Sequence, residues 1–122
     1  MSVARKLFIR PATTVVVLGR PSGVDLEIPA DCLVVSDPAD APTADTVVAF
    51  VVRADDLDDV AGPALEAARE DRPAWLLYPK HRQLGTDVNR DVLAALALER
   101  GAQPVRQVAV DGVWSALRLR PA

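Results

Sequence analysis

The sequence predicts a single α/β domain over residues 1–122, built on a largely parallel sheet that helices cover. Four short apolar runs are continuous rather than alternating, which is typical of strands buried on both faces. Apolar residues at helical spacing precede and follow the last of these runs. A chain of 122 residues also suits one domain that folds without a disulfide or metal staple.

The four apolar runs are the predicted parallel strands. They are residues 13–18, 32–35, 46–52 and 74–78. Gly19 ends the first run and Pro79 ends the fourth. The connections between the first three strands are rich in proline and aspartate, and they are just long enough for parallel crossovers.

Two helices are predicted from apolar residues that recur every three or four positions. The first covers residues 55–72, with acids at its start and arginines at its end, as the helix dipole favours. Gly62-Pro63 lies inside it and predicts a kink or a restart. The second covers residues 86–100, with Thr86 or Asp87 as its cap and Gly101 as its end.

The C-terminal residues predict a β-hairpin. Its strands are residues 105–110 and 113–119. Between them lies Asp111-Gly112, a dipeptide that type I′ turns favour. In the resulting register Val110 faces Val113 and Trp114 lies opposite Ala109, which would pair a large side chain with a small one.

Composition excludes several classes of function. The net charge of −3 argues against nucleic acid or an anionic membrane as a partner. Cys32 and His81 are the only residues of their types, so no disulfide framework, multi-cysteine metal site or His-rich zinc site is predicted. No signal-peptide core and no membrane-length apolar run occurs, so we expect a cytoplasmic protein.

Three sequence motifs carry a resemblance to known proteins. They are Tyr78-Pro79-Lys80, Thr86-Asp87-Val88-Asn89-Arg90-Asp91 and Val110-Asp111-Gly112-Val113-Trp114-Ser115-Ala116-Leu117-Arg118. With these motifs the chain resembles a family of small bacterial proteins of unknown function, and its element order is similar to the methyltransferase variety of the Rossmann fold. The resemblance implies a Rossmann-like, three-layer domain with strand order 2-1-3-4-6-5 and an antiparallel sixth strand, and it implies no known reaction.

Methyltransferases of this fold hold S-adenosylmethionine with a Gly-rich turn after strand 1 and an acidic residue after strand 2. Gly19, Gly23 and Asp37 occupy these places and are the candidate cofactor residues. Arg20 and Pro21 stand where small residues belong, and Pro21 lacks an amide donor. These departures argue against S-adenosylmethionine, and no other cofactor is predicted.

Polar residues follow several predicted strands at the carboxyl edge of the sheet, where open α/β sheets bind ligands. The candidate ligand-binding residues are Arg53, Lys80, Asp87, Asn89, Arg90, Asp111 and Trp114. Lys80 and Arg90 would supply the charge for a phosphate or carboxylate, and Asn89 and Trp114 would orient it. The free amides at the start of the second helix suit the same anion.

Structural roles would explain the same residues. Asp87 and Arg90 have the spacing of a helix-surface ion pair, and Asp111 is a common turn residue. Trp114 is of a type that more often belongs to a core. We predict no catalytic residue, because His81 reads as a loop residue between two cations and Ser115 has no histidine beside it in sequence.

Several functions are compatible with these residues. The favoured one is a non-catalytic, methyltransferase-like binding or interaction module, which could form a homodimer. The first alternative is an enzyme or sensor for a small anionic ligand at the carboxyl edge. The others are a diverged methyltransferase and a structural protein that binds a protein partner through an exposed apolar patch.

Overall fold

A computed structural model describes all residues from Met1 to Ala122. Its strands are β1 (Thr14–Leu18), β2 (Leu33–Val35), β3 (Thr46–Phe50), β4 (Ala74–Pro79), β5 (Ala102–Ala109) and β6 (Trp114–Pro121). Its helices are α1 (Val3–Lys6), α2 (Leu57–Arg69) and α3 (Arg90–Glu99).

The six strands form one mixed sheet in the order β2-β1-β3-β4-β6-β5, which confirms the predicted fold class. The first four strands pair in parallel, and β6 pairs antiparallel with both β4 and β5. The carboxyl ends of the parallel strands therefore meet at one edge, and the β5–β6 hairpin returns to that edge beside β4.

The two faces of the sheet are covered differently. The helices α2 and α3 pack on one face, where Leu76 and Leu117 are part of a buried apolar cluster. The N-terminal segment packs on the other face, where the indole Nε1 of Trp75 donates to the Leu7 carbonyl oxygen at 2.9 Å. The short helix α1 and a loop that contains Leu26 thus cover this face in place of a layer of longer helices.

The helix α2 is shorter than predicted and does not restart. A 3-10 turn, Ala54–Asp56, precedes it, and one continuous helix then runs through Gly62-Pro63 to Arg69. The buried positions of α2, which include Ala61 and Leu65, lie on the predicted apolar stripe.

The helix α3 begins at Arg90, four residues later than the sequence predicts. Its cap is Asn89, whose Oδ1 accepts a hydrogen bond from the Val92 amide at 2.8 Å. Neither predicted cap performs this role, because the Thr86 hydroxyl donates to the Val52 carbonyl oxygen and Asp87 bonds to residues before α2. The predicted end is confirmed, since Gly101 follows the helix with a φ of +82°.

The predicted hairpin register is wrong by one residue. Ala109 lies opposite Ser115, and Trp114 instead pairs with Pro79 of β4. Neither Asp111 nor Gly112 has the positive φ that a type I′ turn requires. The Asp111 carboxylate accepts from the backbone amides two and three residues later, so this side chain holds a longer turn.

Candidate functional site

A concave cleft lies at the carboxyl end of β4, between the start of α3 and the β5–β6 hairpin. It has a volume of about 480 Å³. Its lining residues are Tyr78, Lys80, His81, Asn89, Arg90, Gln107, Val108, Ala109 and Ser115, and we call it the β4 cleft. Four segments that are distant in sequence therefore meet here, as the predicted fold requires.

The ionisable side chains at the rim of the β4 cleft are lysine, histidine and arginine, and none is an acid. Lys80, His81 and Arg90 contribute them, and no aspartate or glutamate lines the cleft. The Lys80 Nζ donates to the Asp111 carbonyl oxygen at 2.6 Å, which fixes the ammonium group without neutralising it. Arg90 is 3.7 Å from Asp91, and both side chains are exposed, so this pair is weak.

The floor of the cleft is a hydrogen-bonded group of neutral polar side chains. Tyr78 and Ser115 lie opposite each other on β4 and β6. The Gln107 Nε2 donates to the Tyr78 hydroxyl at 2.7 Å and to the Ser115 Oγ at 3.3 Å, and the Ser115 Oγ donates to the Val108 carbonyl oxygen. The Tyr78 proton and the Gln107 Oε1 form no hydrogen bond inside the protein, so both remain available to a ligand.

The wall of the cleft is the strained loop after β4. Three residues other than glycine have left-handed backbone conformations there: His81 (φ +50°), Arg82 (φ +59°) and Leu84 (φ +56°). Hydrogen bonds hold the loop against the hairpin, since the Lys80 amide donates to the Val113 carbonyl oxygen at 2.7 Å. Such strain persists only where surrounding contacts fix the backbone, and it is enriched at binding sites.

Asn89 and Asp111 shape the cleft through the backbone. The Asn89 Oδ1 is engaged as the α3 cap, and the Asp111 Oδ1 accepts from the Val113 and Trp114 amides at 2.8 Å each. These carboxyl and amide oxygens are therefore occupied, although Asn89 retains its NH₂ group toward the cleft.

Arg53 and Asp87 lie outside the cleft and pair with each other. The Arg53 Nη2 is 3.3 Å from the Asp87 Oδ2, and the Arg53 Nη1 donates to the Gly85 carbonyl oxygen at 2.8 Å. The Asp87 Oδ1 also accepts from the Ala54 amide at 2.8 Å. This pair joins the start of α2 to the loop before α3, and it replaces the Asp87–Arg90 pair that the spacing suggested.

Trp114 is part of the core on the opposite face of the sheet. Only 3% of its surface is exposed, and its ring meets Phe50 edge-on at a centroid distance of 5.0 Å. The predicted role of orienting a ligand is therefore not supported for this residue.

Two of the three candidate cofactor residues, Gly19 and Asp37, have structural roles within the protein. Gly19 has a φ of +68°, and a Cβ built there would lie 3.1 Å from the Val60 Cγ1 and 3.3 Å from the Phe50 carbonyl oxygen. The Asp37 Oδ1 accepts from the Ala39 amide at 2.9 Å and caps a 3-10 turn. Gly23 has no atom near its Cβ position. A hollow of about 490 Å³ lies beside Gly19 and is lined by Val17, Gly19, Arg20, Val34, Val35 and Ser36.

Sequence reasoning missed the three residues on the floor of the cleft. Tyr78, Gln107 and Ser115 meet only because β6 inserts between β4 and β5 in one particular register. The correct register was the signal that could have found them, and the assumed tight turn at Asp111 concealed it.

Neither a protein-family profile nor a curated protein sequence matches this chain. No three His, Cys, Asp or Glu side chains lie close enough together to hold a metal ion. None of its helices has the length and apolar character needed to cross a bilayer.

Proposed function

We propose that the protein is a non-catalytic, methyltransferase-like binding module that holds a small anionic ligand in the β4 cleft. The ligand would carry a carboxylate or phosphate group. The observation that carries this proposal is that Lys80, His81 and Arg90 line the cleft and no acidic residue does. This local excess of basic residues contrasts with the net charge of −3 of the whole chain. An anion placed there gains the attraction of two permanent cations and meets no nearby carboxylate on the lining.

The side chains of the cleft divide into charge donors and directional groups. Lys80 and Arg90 would bind the ligand oxygens, because charge-assisted hydrogen bonds are the stronger ones. The Tyr78 proton would donate to a further ligand oxygen, and the Gln107 Oε1 would accept from a ligand hydroxyl or amine. The floor therefore favours a polar ligand over a bare inorganic ion.

Two observations support a binding role without methyl transfer. A side chain at Gly19 would press on Val60 and Phe50, so internal packing accounts for the glycine without a nucleoside, even though a hollow lies beside it. Asp37 directs its carboxylate to its own turn. We further propose a cytoplasmic setting, which suits a chain whose one cysteine, Cys32, has no disulfide partner.

The test combines ligand identification with a matched set of variants. Native mass spectrometry of the purified protein would reveal a co-purified acid or phosphate, and calorimetry would then measure citrate and inorganic phosphate as probes. We expect citrate to bind more tightly, and the Lys80→Ala, Arg90→Ala double variant to weaken it by about tenfold or more. The Arg82→Ala variant removes a charge from the same loop but outside the cleft, and it should bind like the wild type.

Two results would reject the proposal. The first is a double variant that keeps both its thermal midpoint and its full affinity for citrate. The second is micromolar binding of S-adenosylmethionine, which would favour the diverged methyltransferase instead.

A further inference from the structure

A second pocket lies at the opposite edge of the sheet, where the parallel strands begin. It has a volume of about 900 Å³ and is open to solvent on the face that carries α1. Residues before β1, β2 and β4 line it, together with Arg118 near the end of β6. We call it the amino-edge pocket. Among its arginines, Arg118 alone belongs to one of the three sequence motifs, and none of them lines the β4 cleft.

Arg118 is a half-buried cation without an ion pair of its own, because Asp71, whose pKa it helps to lower, already pairs with Arg120. Its Nε is buried and has no hydrogen-bond partner, and its guanidinium group forms no ion pair. The guanidinium carbon lies 5.0 Å from the centroid of the Phe8 ring, so stacking fixes the group in place. A partly desolvated cation without a bonded acceptor is costly, and an oxyanion that accepts from the solvent-facing terminal nitrogens would offset that cost.

The other charges of the pocket increase its preference for anions. Arg5 and Arg10 also line it and form no ion pair, and the only carboxylate on the lining is Asp45. The Asp45 Oδ2 already accepts from the Thr14 amide at 2.9 Å. Three guanidinium groups against one carboxylate leave an excess of two positive charges, which matches a dianion.

The pocket also offers an apolar surface beside these charges. The Phe8 side chain is 41% exposed, although an aromatic residue of this size is usually buried. Its backbone is left-handed, with a φ of +59°, and Ala12 in the same segment has a φ of +61°. The Arg106 guanidinium carbon also lies over the Phe8 ring, 5.4 Å from its centroid. The part of the ring that stays exposed, together with Pro29 and Pro73, provides a surface on which an organic group can pack.

We propose that the amino-edge pocket binds a phosphate monoester, with the phosphate on Arg118 and Arg10 and the organic group against Phe8. Above pH 7 such an ester carries about two negative charges, which equals the excess charge of the pocket. The site is separate from the β4 cleft and does not depend on the function proposed for it.

Calorimetry with phenyl phosphate at about pH 8 tests the proposal, with inorganic phosphate and phenol as reference probes. We expect phenyl phosphate to bind more tightly than either reference. Arg118→Lys keeps the charge but loses the planar fork, and it should weaken binding by about tenfold. Arg10→Gln is an exposed substitution that should leave folding intact and weaken binding severalfold, so it carries the test if Arg118→Lys does not fold.

The control variants separate this pocket from general charge effects and from the β4 cleft. Arg20→Gln removes an exposed cation that lies outside the pocket, and it should not change the affinity. The Lys80→Ala, Arg90→Ala variant should also bind phenyl phosphate normally. Absence of binding in the wild type, or wild-type affinity in both Arg118→Lys and Arg10→Gln, would overturn the proposal. Loss of phenyl phosphate binding in the Lys80→Ala, Arg90→Ala variant would also overturn it and would place the ester in the β4 cleft.

Discussion

Replacing Gly19 by alanine tests whether packing inside the protein requires a glycine at the turn after β1. Gly19 has a φ of +68°, and a Cβ there would meet the Val60 Cγ1 at 3.1 Å and the Phe50 carbonyl oxygen at 3.3 Å. Gly23 in the same loop is a matched control, because it also has a positive φ (+84°) but no atom within 4 Å of its Cβ position.

The two substitutions differ in steric cost alone. Alanine in the left-handed region costs about 1–2 kcal/mol at either position. At Gly19 the new methyl group also presses on a stiff valine and a backbone carbonyl, and overpacking of this kind costs about 1–3 kcal/mol. The free energy of unfolding should therefore fall by about 2–5 kcal/mol in Gly19→Ala and by about 1–2 kcal/mol in Gly23→Ala.

Urea unfolding followed by tryptophan fluorescence measures the difference. With an m value of about 2 kcal/mol/M, an excess cost of about 2 kcal/mol lowers the midpoint of Gly19→Ala about 1 M below that of Gly23→Ala. Equal midpoints would show that Val60 and Phe50 do not require a glycine at position 19. The argument that Gly19 serves internal packing, and not a nucleoside, would then fail.

Two further predictions concern the rest of the fold. Trp75→Phe should lower the free energy of unfolding by about 2–3 kcal/mol, because it leaves the buried Leu7 carbonyl oxygen without its donor and opens a small void, and urea unfolding measures it. The hydrogen bond from Arg100 holds the pKa of Asp58 below its ordinary value of 3.8, so the stabilisation is fully present above that value and is lost as pH falls through the lower, folded pKa. The difference in thermal midpoint between the wild type and Asp58→Asn should therefore be constant near neutral pH and shrink in acid, and a difference that grew in acid would contradict the assignment.

Local patterns predicted the fold well where one cause dominates. Continuous apolar runs marked all four parallel strands, and β1, β3 and β4 are buried as predicted. The expectation of burial is wrong for β2, because this strand lies at the edge of the sheet and leaves Leu33 and Val34 exposed. A resemblance in element order supplied the sheet order that pairing confirms. Local patterns failed where several polar residues compete for one role. Asn89, and not Thr86 or Asp87, caps α3, because the other two side chains bond to segments more than thirty residues away.

The sequence was enough to predict that the candidate site lies at the carboxyl edge of the sheet and that its charge is positive. Lys80 and Arg90 meet as expected because both follow elements that end or begin at the carboxyl edge. The floor was not predictable, because a shift of one residue in a strand moves each side chain to the other face. Trp114 directly precedes Ser115 in β6, so its side chain lies on the opposite face of the sheet, in the core.

The two proposed anion sites are too far apart to share one small ligand. Pro73 lines the amino-edge pocket and Lys80 lines the β4 cleft, and the strand β4 lies between them. Seven steps of about 3.3 Å separate Pro73 from Lys80 by about 23 Å along the strand. Arg118 lies opposite Trp75, which is five steps, or about 17 Å, from Lys80. Substitutions that lie this far apart and share no partner act independently. Arg118→Lys should therefore lower the affinity for one ligand, and the Lys80→Ala, Arg90→Ala variant should lower the affinity for another. If both variants bound the same ligand more weakly, the two sites would have to be coupled through the sheet, which would contradict their expected independence.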